Sequence, residues 1–227
     1  MNILAMDTST DICSVAIMVE NALEYETTFR VRKGHAGSLL PAIDTAMDQT
    51  GIKKDQIDII AVSLGPGSFT GIRIGIATAK GLGYALDCPV TGIPTLDIIA
   101  RGASRDALPS SLPIMPVLDA RKGEVFCALY TSTGKPLHGP VNIRPEKTVP
   151  MAEGHTLFIG NAIALYRDVF TGSLGEKYHE GPEHLWYPRA SVLARMANEY
   201  PENRTDPLYV RESDATLLLK KLKTPGS

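Results

Sequence analysis

The chain has 227 residues, 44% hydrophobic and 21% charged, with a formal net charge of −2. That length suits one large domain or two small ones with a substantial core. The near-neutral charge gives the chain alone no pull toward nucleic acid or a membrane surface.

Asp7 interrupts the N-terminal apolar stretch too early for a secretory signal, and no apolar run approaches a membrane span. Cys13, Cys88 and Cys127 make neither a CxxC pair nor an even framework, and Cys13 and Cys127 fall in apolar strand patterns that favour buried thiols. A cytoplasmic protein is expected. Residues 3–6 read as a short buried strand ending at Asp7, and Asp7-Thr8-Ser9-Thr10-Asp11 is a polar turn into a second strand over 13–19. Glu20-Asn21 turns the chain into a third strand near 23–31. Leu39, Ile43, Ala46 and Met47 share one face of a helix predicted over 38–50, with Pro41 in its first turn and Gly51 at its end. A strand over 57–64 leads through a Gly/Pro turn into a helix over 71–86, with Thr70 as its N-cap.

Gly71, Gly75, Ala79 and Gly83 make an i, i+4, i+8, i+12 row on that second helix. Each glycine inside a helix costs about 1 kcal/mol relative to alanine, so the row implies close approach of another backbone. The chain's own sheet or neighbouring helix and a helix of another protein are both open at this point.

The second half repeats the first. Residues 113–119 form a short apolar strand ending at Asp119, followed by a polar turn, a strand over 124–130, another turn and a strand over 137–143. A linker is expected over 101–111, a strand over 157–160, and a helix over 191–200. Two strand–Asp–turn–strand–turn–strand units point to an α/β protein on the duplicated actin/Hsp70/sugar-kinase (ASKHA) plan, with two RNase H-like subdomains of mixed sheets flanked by helices. The competing architecture is a single α/β domain with two similar hairpins. The subdomains divide at 1–105 and 106–227, with a return of the last segment to the first left open.

Chemistry-bearing motifs are weak. The Gly65–Gly71 loop lacks the GxxxxGK[ST] and GxGxxG spacings, and Asp7-Thr8-Ser9-Thr10 serves either as a phosphate-contacting turn or as a hairpin closure. His179 and His184 are one residue too far apart for HExxH, with Pro182 between them, and His35, His138 and His155 are isolated. Ser68 and Ser173 have glycine neighbours but no GxSxG. No catalytic residue, metal-ligand set or cofactor is predicted. Arg30, Arg32 and Lys33 form one small basic cluster, a weak candidate for direct nucleic-acid contact.

Residues 3–10 and 63–73, with Gly34-His35-Ala36, Leu40-Pro41 and Pro207-Leu208-Tyr209-Val210-Arg211, resemble the TsaB (YeaZ) family. The resemblance spans essentially the whole chain. It implies the duplicated fold and a non-catalytic subunit that partners TsaD in making threonylcarbamoyladenosine on tRNA, beside the anticodon. It further implies a larger complex with TsaE, contact with tRNA only through that complex, and a homodimer when the chain is alone. TsaD proteins carry a metal-binding HxxxH where this chain has Thr95 and Ile99. By the same resemblance the partner-binding residues are Leu39, Ile43, Met47, Phe69, Gly71, Ile72, Gly75, Ile76, Ala79 and Gly83, and a vestigial nucleotide cleft is formed by Asp7, Thr8, Ser9 and Asp119. Arginine at Gly75 or Ala79 is then expected to break the TsaD contact and leave the fold intact. The alternative is an ATP-binding kinase-like or metallopeptidase-like enzyme of the same superfamily, as the family's old "glycoprotease" label suggests.

Overall fold

Three strands near the N-terminus form because apolar residues run to a turn whose two residues tolerate left-handed backbone. A computed structural model describes residues 1–31, 36–106, 111–152, 154–200 and 203–211. Strand β1 (Ile3–Asp7) pairs antiparallel with β2 (Ile12–Val19), and β2 with β3 (Ala22–Arg30). The β2–β3 turn places Glu20 at φ 49° and Asn21 at φ 70°, a twist that matches a hairpin's strands. Strands β4 (Ile59–Ser63) and β5 (Val90–Ile93) add in parallel, giving a mixed sheet in the order β3-β2-β1-β4-β5.

The second half builds the same sheet again. Strands β6 (Ile114–Arg121), β7 (Glu124–Tyr130) and β8 (Pro136–Ile143) are antiparallel, and β9 (Thr156–Ile159) and β10 (Tyr178–Glu180) extend β6 in parallel. The order β10-β9-β6-β7-β8 reproduces the first sheet strand for strand, so Asp7 and Asp119 lie on equivalent strands, each beside its central parallel pairing. The duplicated α/β plan is therefore present.

Helices α1 (Ala36–Thr50) and α2 (Phe69–Leu86) lie side by side on one face of the first sheet, α1 over β2 and β3 and α2 over β4 and β1. They share one buried cluster with Leu4, Met6, Val15, Ile17, Ile60 and Val62. Helix α4 (Ile163–Leu174) contributes Ile163 and Phe170 to the core of the second sheet. The other two helices are exchanged between halves. Helix α3 (Thr95–Asp106) belongs to the first half in sequence, yet its Leu96, Ile99, Ala100 and Ala103 join the core of the second sheet. Helix α5 (Ala190–Met196) packs back on β1, β2 and β4 through Val192, Leu193 and Met196. Residues 203–211 also return, with the Asn203 amide donating to Val90 O and the Leu208 amide to Leu64 O.

Several expectations are corrected. The linker expected over 101–111 is helical up to Asp106, and residues 107–110 lie outside the described residues. Pro41 sits beyond the first turn of α1, where its ring removes the bond that an amide would make to Gly37 O. The N-cap of α2 is Ser68, whose Oγ accepts from the Gly71 amide, and not Thr70. The last helix is α-helical only to Met196 and tightens to 3-10 over Ala197–Glu199. Helix α4 and strands β5 and β10 have no clear sequence signal: the strands are four and three residues long, and α4 carries Gly172 and a kink at Tyr166. Among the described residues no helix is long and apolar enough to cross a membrane.

Candidate functional site

The glycine row of α2 faces inward. A Cβ at Gly71 would stand 2.0 Å from Thr8 O, one at Gly75 2.3 Å from Thr8 Oγ1, and one at Gly83 2.5 Å from Val90 Cγ2. The close neighbour of Gly71 and Gly75 is the chain's own turn after β1, and that of Gly83 is the entry to β5. Thr8 Oγ1 donates to Gly71 O at 2.8 Å, and the Ser68 amide donates to Ser9 O at 2.7 Å. Leu39, Ile43, Met47, Ile72, Ile76 and Ala79 are buried in the same layer. Nine of the ten residues assigned to partner contact are thus interior, and arginine at Gly75 or Ala79 would disrupt the fold. Phe69, the tenth, is half-buried and packs on Tyr209 with ring centroids 4.9 Å apart.

What the two helices present to solvent is a different set. On α2 the exposed ridge runs Arg73, Ala77, Lys80, Gly81 and Tyr84, with Tyr84 93% exposed. On α1 it runs Leu40, Pro41, Asp44, Thr45 and Asp48, with Leu40 49% exposed. One ridge carries cations and an aromatic, the other carboxylates and a leucine. Sequence reading missed these residues, although a helical wheel puts Tyr84 opposite Gly75.

Between the two halves lies a cleft of about 650 Å³. Its walls include Ser9, Asp11, Pro66–Thr70, Ile72 and Arg73 of the loop and α2, Asp119–Lys122 of β6 and its turn, Asn161, and 208–211 of the returning segment. Of the residues expected there, Ser9 and Asp119 line it; Asp7 and Thr8 do not, both being wholly buried. Burial pushes the Asp7 carboxyl up to about 6, against the opposing pull of the Ser63 and Ser9 hydroxyls. The Ser9 Oγ donates to Asp7 Oδ2 at 2.9 Å. Asp119 is held by the Arg121 amide at 2.9 Å, and its own amide donates to Asn161 Oδ1.

The returning segment closes one rim of the cleft. The Arg73 guanidinium lies 3.9 Å from the Phe69 ring centroid and donates through Nε to the Tyr209 hydroxyl at 2.9 Å. Arg211 reaches across to donate to Ala120 O.

The remaining candidates divide. Thr95 and Ile99 are buried at the start of α3, and neither side chain offers a metal an imidazole. Arg30 is paired with Asp11, while Arg32, Lys33 and His35 lie outside the described residues. Cys13 and Cys127 are buried thiols, each pushed up to about 12 by desolvation. His155, read as isolated, instead meets His179.

A family model described as "TsaD: tRNA N6-adenosine threonylcarbamoyltransferase" matches residues 29–215. The tRNA threonylcarbamoyladenosine biosynthesis protein TsaB of Bacillus subtilis is 31% identical over 209 residues, 88% of either chain. TsaB of Escherichia coli is 37% identical over 130 residues, 57% of this chain and 55% of that one. The solved structure of YeaZ from Pseudomonas aeruginosa superposes with a TM-score of 0.77 at 27% identity, covering 92% of this chain and 99% of that one. An activator of 2-hydroxyisocaproyl-CoA dehydratase from Clostridium difficile superposes with a TM-score of 0.53 at 10% identity, a likeness of fold alone. The chain belongs to the family that the TsaD model describes, and within it to the TsaB (YeaZ) proteins.

Proposed function

We propose that the chain is a non-catalytic subunit that docks on TsaD through the outward ridges of α1 and α2, supporting threonylcarbamoyl transfer to tRNA in the cytoplasm. The observation that carries this reading is the ridge itself. Tyr84 stands almost fully exposed on a helix whose other face is rigidly seated on its own sheet. Aromatic side chains in that position act as interface anchors. The small residues Ala77 and Gly81 beside it leave room for a partner helix to approach. TsaE joins the complex, tRNA is met only through it, and the same ridges pair two copies when TsaD is absent. The ATP-binding alternative has less support, because Asp7 and Thr8 are wholly buried and do not line the cleft.

Tyr84→Ala should weaken TsaD binding by about 2 kcal/mol, and Leu40→Arg should abolish co-purification. Both changes are at exposed positions, so far-UV circular dichroism and melting temperature should match the parent. Undiminished TsaD binding in both variants would refute the assignment of these ridges.

A further inference from the structure

His155 and His179 are separated in sequence by α4 and a 3-10 turn, yet the fold brings them together at the edge of the second sheet. His155 stands one residue before β9, and His179 is the middle residue of β10. The parallel register pairs His179 with Leu157, two positions after His155, so both imidazoles project from the same side of the strands. His155 Nδ1 and His179 Nε2 are 2.9 Å apart, with ring centroids 5.2 Å apart and planes tilted by 39°. The pair reaches solvent.

Two imidazole nitrogens this close must share something between them. A proton suffices, with one ring donating and the other accepting. A metal ion fits the same separation, because two cis nitrogens bound at about 2.0–2.1 Å stand about 2.8–3.4 Å apart; both rings then turn so that their lone pairs converge on the ion. We propose that His155 Nδ1 and His179 Nε2 chelate a borderline divalent transition ion (zinc, nickel or copper), with water completing its coordination. The adjacent carboxylate does not compete for the role: Glu180 is occupied by bidentate Arg167 and by the Tyr178 hydroxyl. A set of neutral nitrogens favours these ions over magnesium or calcium, which prefer oxygen. The bound ion would clip the three-residue edge strand β10 to β9.

Calorimetric titration of metal-free protein with zinc chloride and with nickel chloride tests this. One site should depend on both rings, with His155→Ala and His179→Ala each weakening it by more than about tenfold. The parent's affinity should also fall as the solution is made more acid, because protons compete with the metal for the same nitrogens. Zinc should raise the parent's melting temperature and leave that of either variant unmoved. Parental affinity retained in either variant, or binding indifferent to pH, would overturn the site. The side chains reach solvent, and circular dichroism of both variants verifies that the fold is kept.

Discussion

Asp7 is a carboxyl group with no exposure, at the end of a strand where every neighbour is buried as well. The Ser63 and Ser9 hydroxyls and the Ser9 amide favour the charged form but do not offset the loss of water. The folded value of about 6 stands above the ordinary 3.8, so between these values the folded chain holds a proton that the unfolded chain has released. Stability therefore falls as pH rises through that window, and the full cost, about 3 kcal/mol, is present above it. Asp7→Asn keeps the shape and removes the charge. Urea denaturation should show the variant gaining about 2–3 kcal/mol on the parent between about pH 4 and pH 8. A gap that stays constant across that range would show that the charge is not what burial penalises.

At the scale of the element, α2 is a helix whose two faces carry different obligations. Gly71 is needed because a methyl group there would press on a backbone carbonyl, an atom that cannot step aside. Gly81 has nothing within 4 Å of where its Cβ would be and lies on the exposed ridge. Gly71→Ala should destabilise by about 2 kcal/mol or more, through overpacking and strain on the Thr8–Gly71 hydrogen bond. Gly81→Ala should stabilise by about 0.5–1 kcal/mol from helix propensity alone. Thermal melts of the two variants decide it, and equal shifts would mean that the inward seating of the row is wrong. The same helix shows how far the sequence could be read. Its existence and its end at Leu86 were legible from the strand–turn–helix punctuation, as was the need for close approach along 71, 75, 79 and 83, while its start at Phe69 lies two residues before the expected one. The identity of the approaching backbone was not, because small residues record only a short distance and not what stands at the end of it. Thr8 and Ser9 lie about sixty positions away, and no local signal ties them to α2. The meeting of His155 and His179 was illegible for the same reason: it depends on the β9–β10 register.

The whole molecule is tied together by exchange. Each half builds its own sheet, which is why the repeat of strand, aspartate and hairpin was legible at 3–31 and again at 113–143. The helices that cover the inner faces are traded, with α3 in the core of the second sheet and α5 on the first. At their junction Asp97 of α3 accepts hydrogen bonds at 2.5 Å from Tyr130 of β7 and from Tyr200 beyond α5. Arg101 of α3 makes a bidentate pair with Glu199. Helix α3 thus joins both sheets, and a division of the chain near residue 105 cuts between sheets but not between cores. A fragment of residues 1–105 would leave Leu96, Ile99 and Ala103 without the second sheet, and would bare the face of β1 and β2 that α5 covers. Burying those groups is worth about 1.5–3 kcal/mol for each large side chain, comparable in sum to the net stability of a domain. The fragments 1–105 and 106–227 should therefore fail to fold when made separately, while the intact chain unfolds in one transition whether followed by Trp186 fluorescence in the second half or by circular dichroism over both. A soluble, cooperatively melting 1–105 fragment would show that the exchanged helices decorate two independent domains instead of joining them.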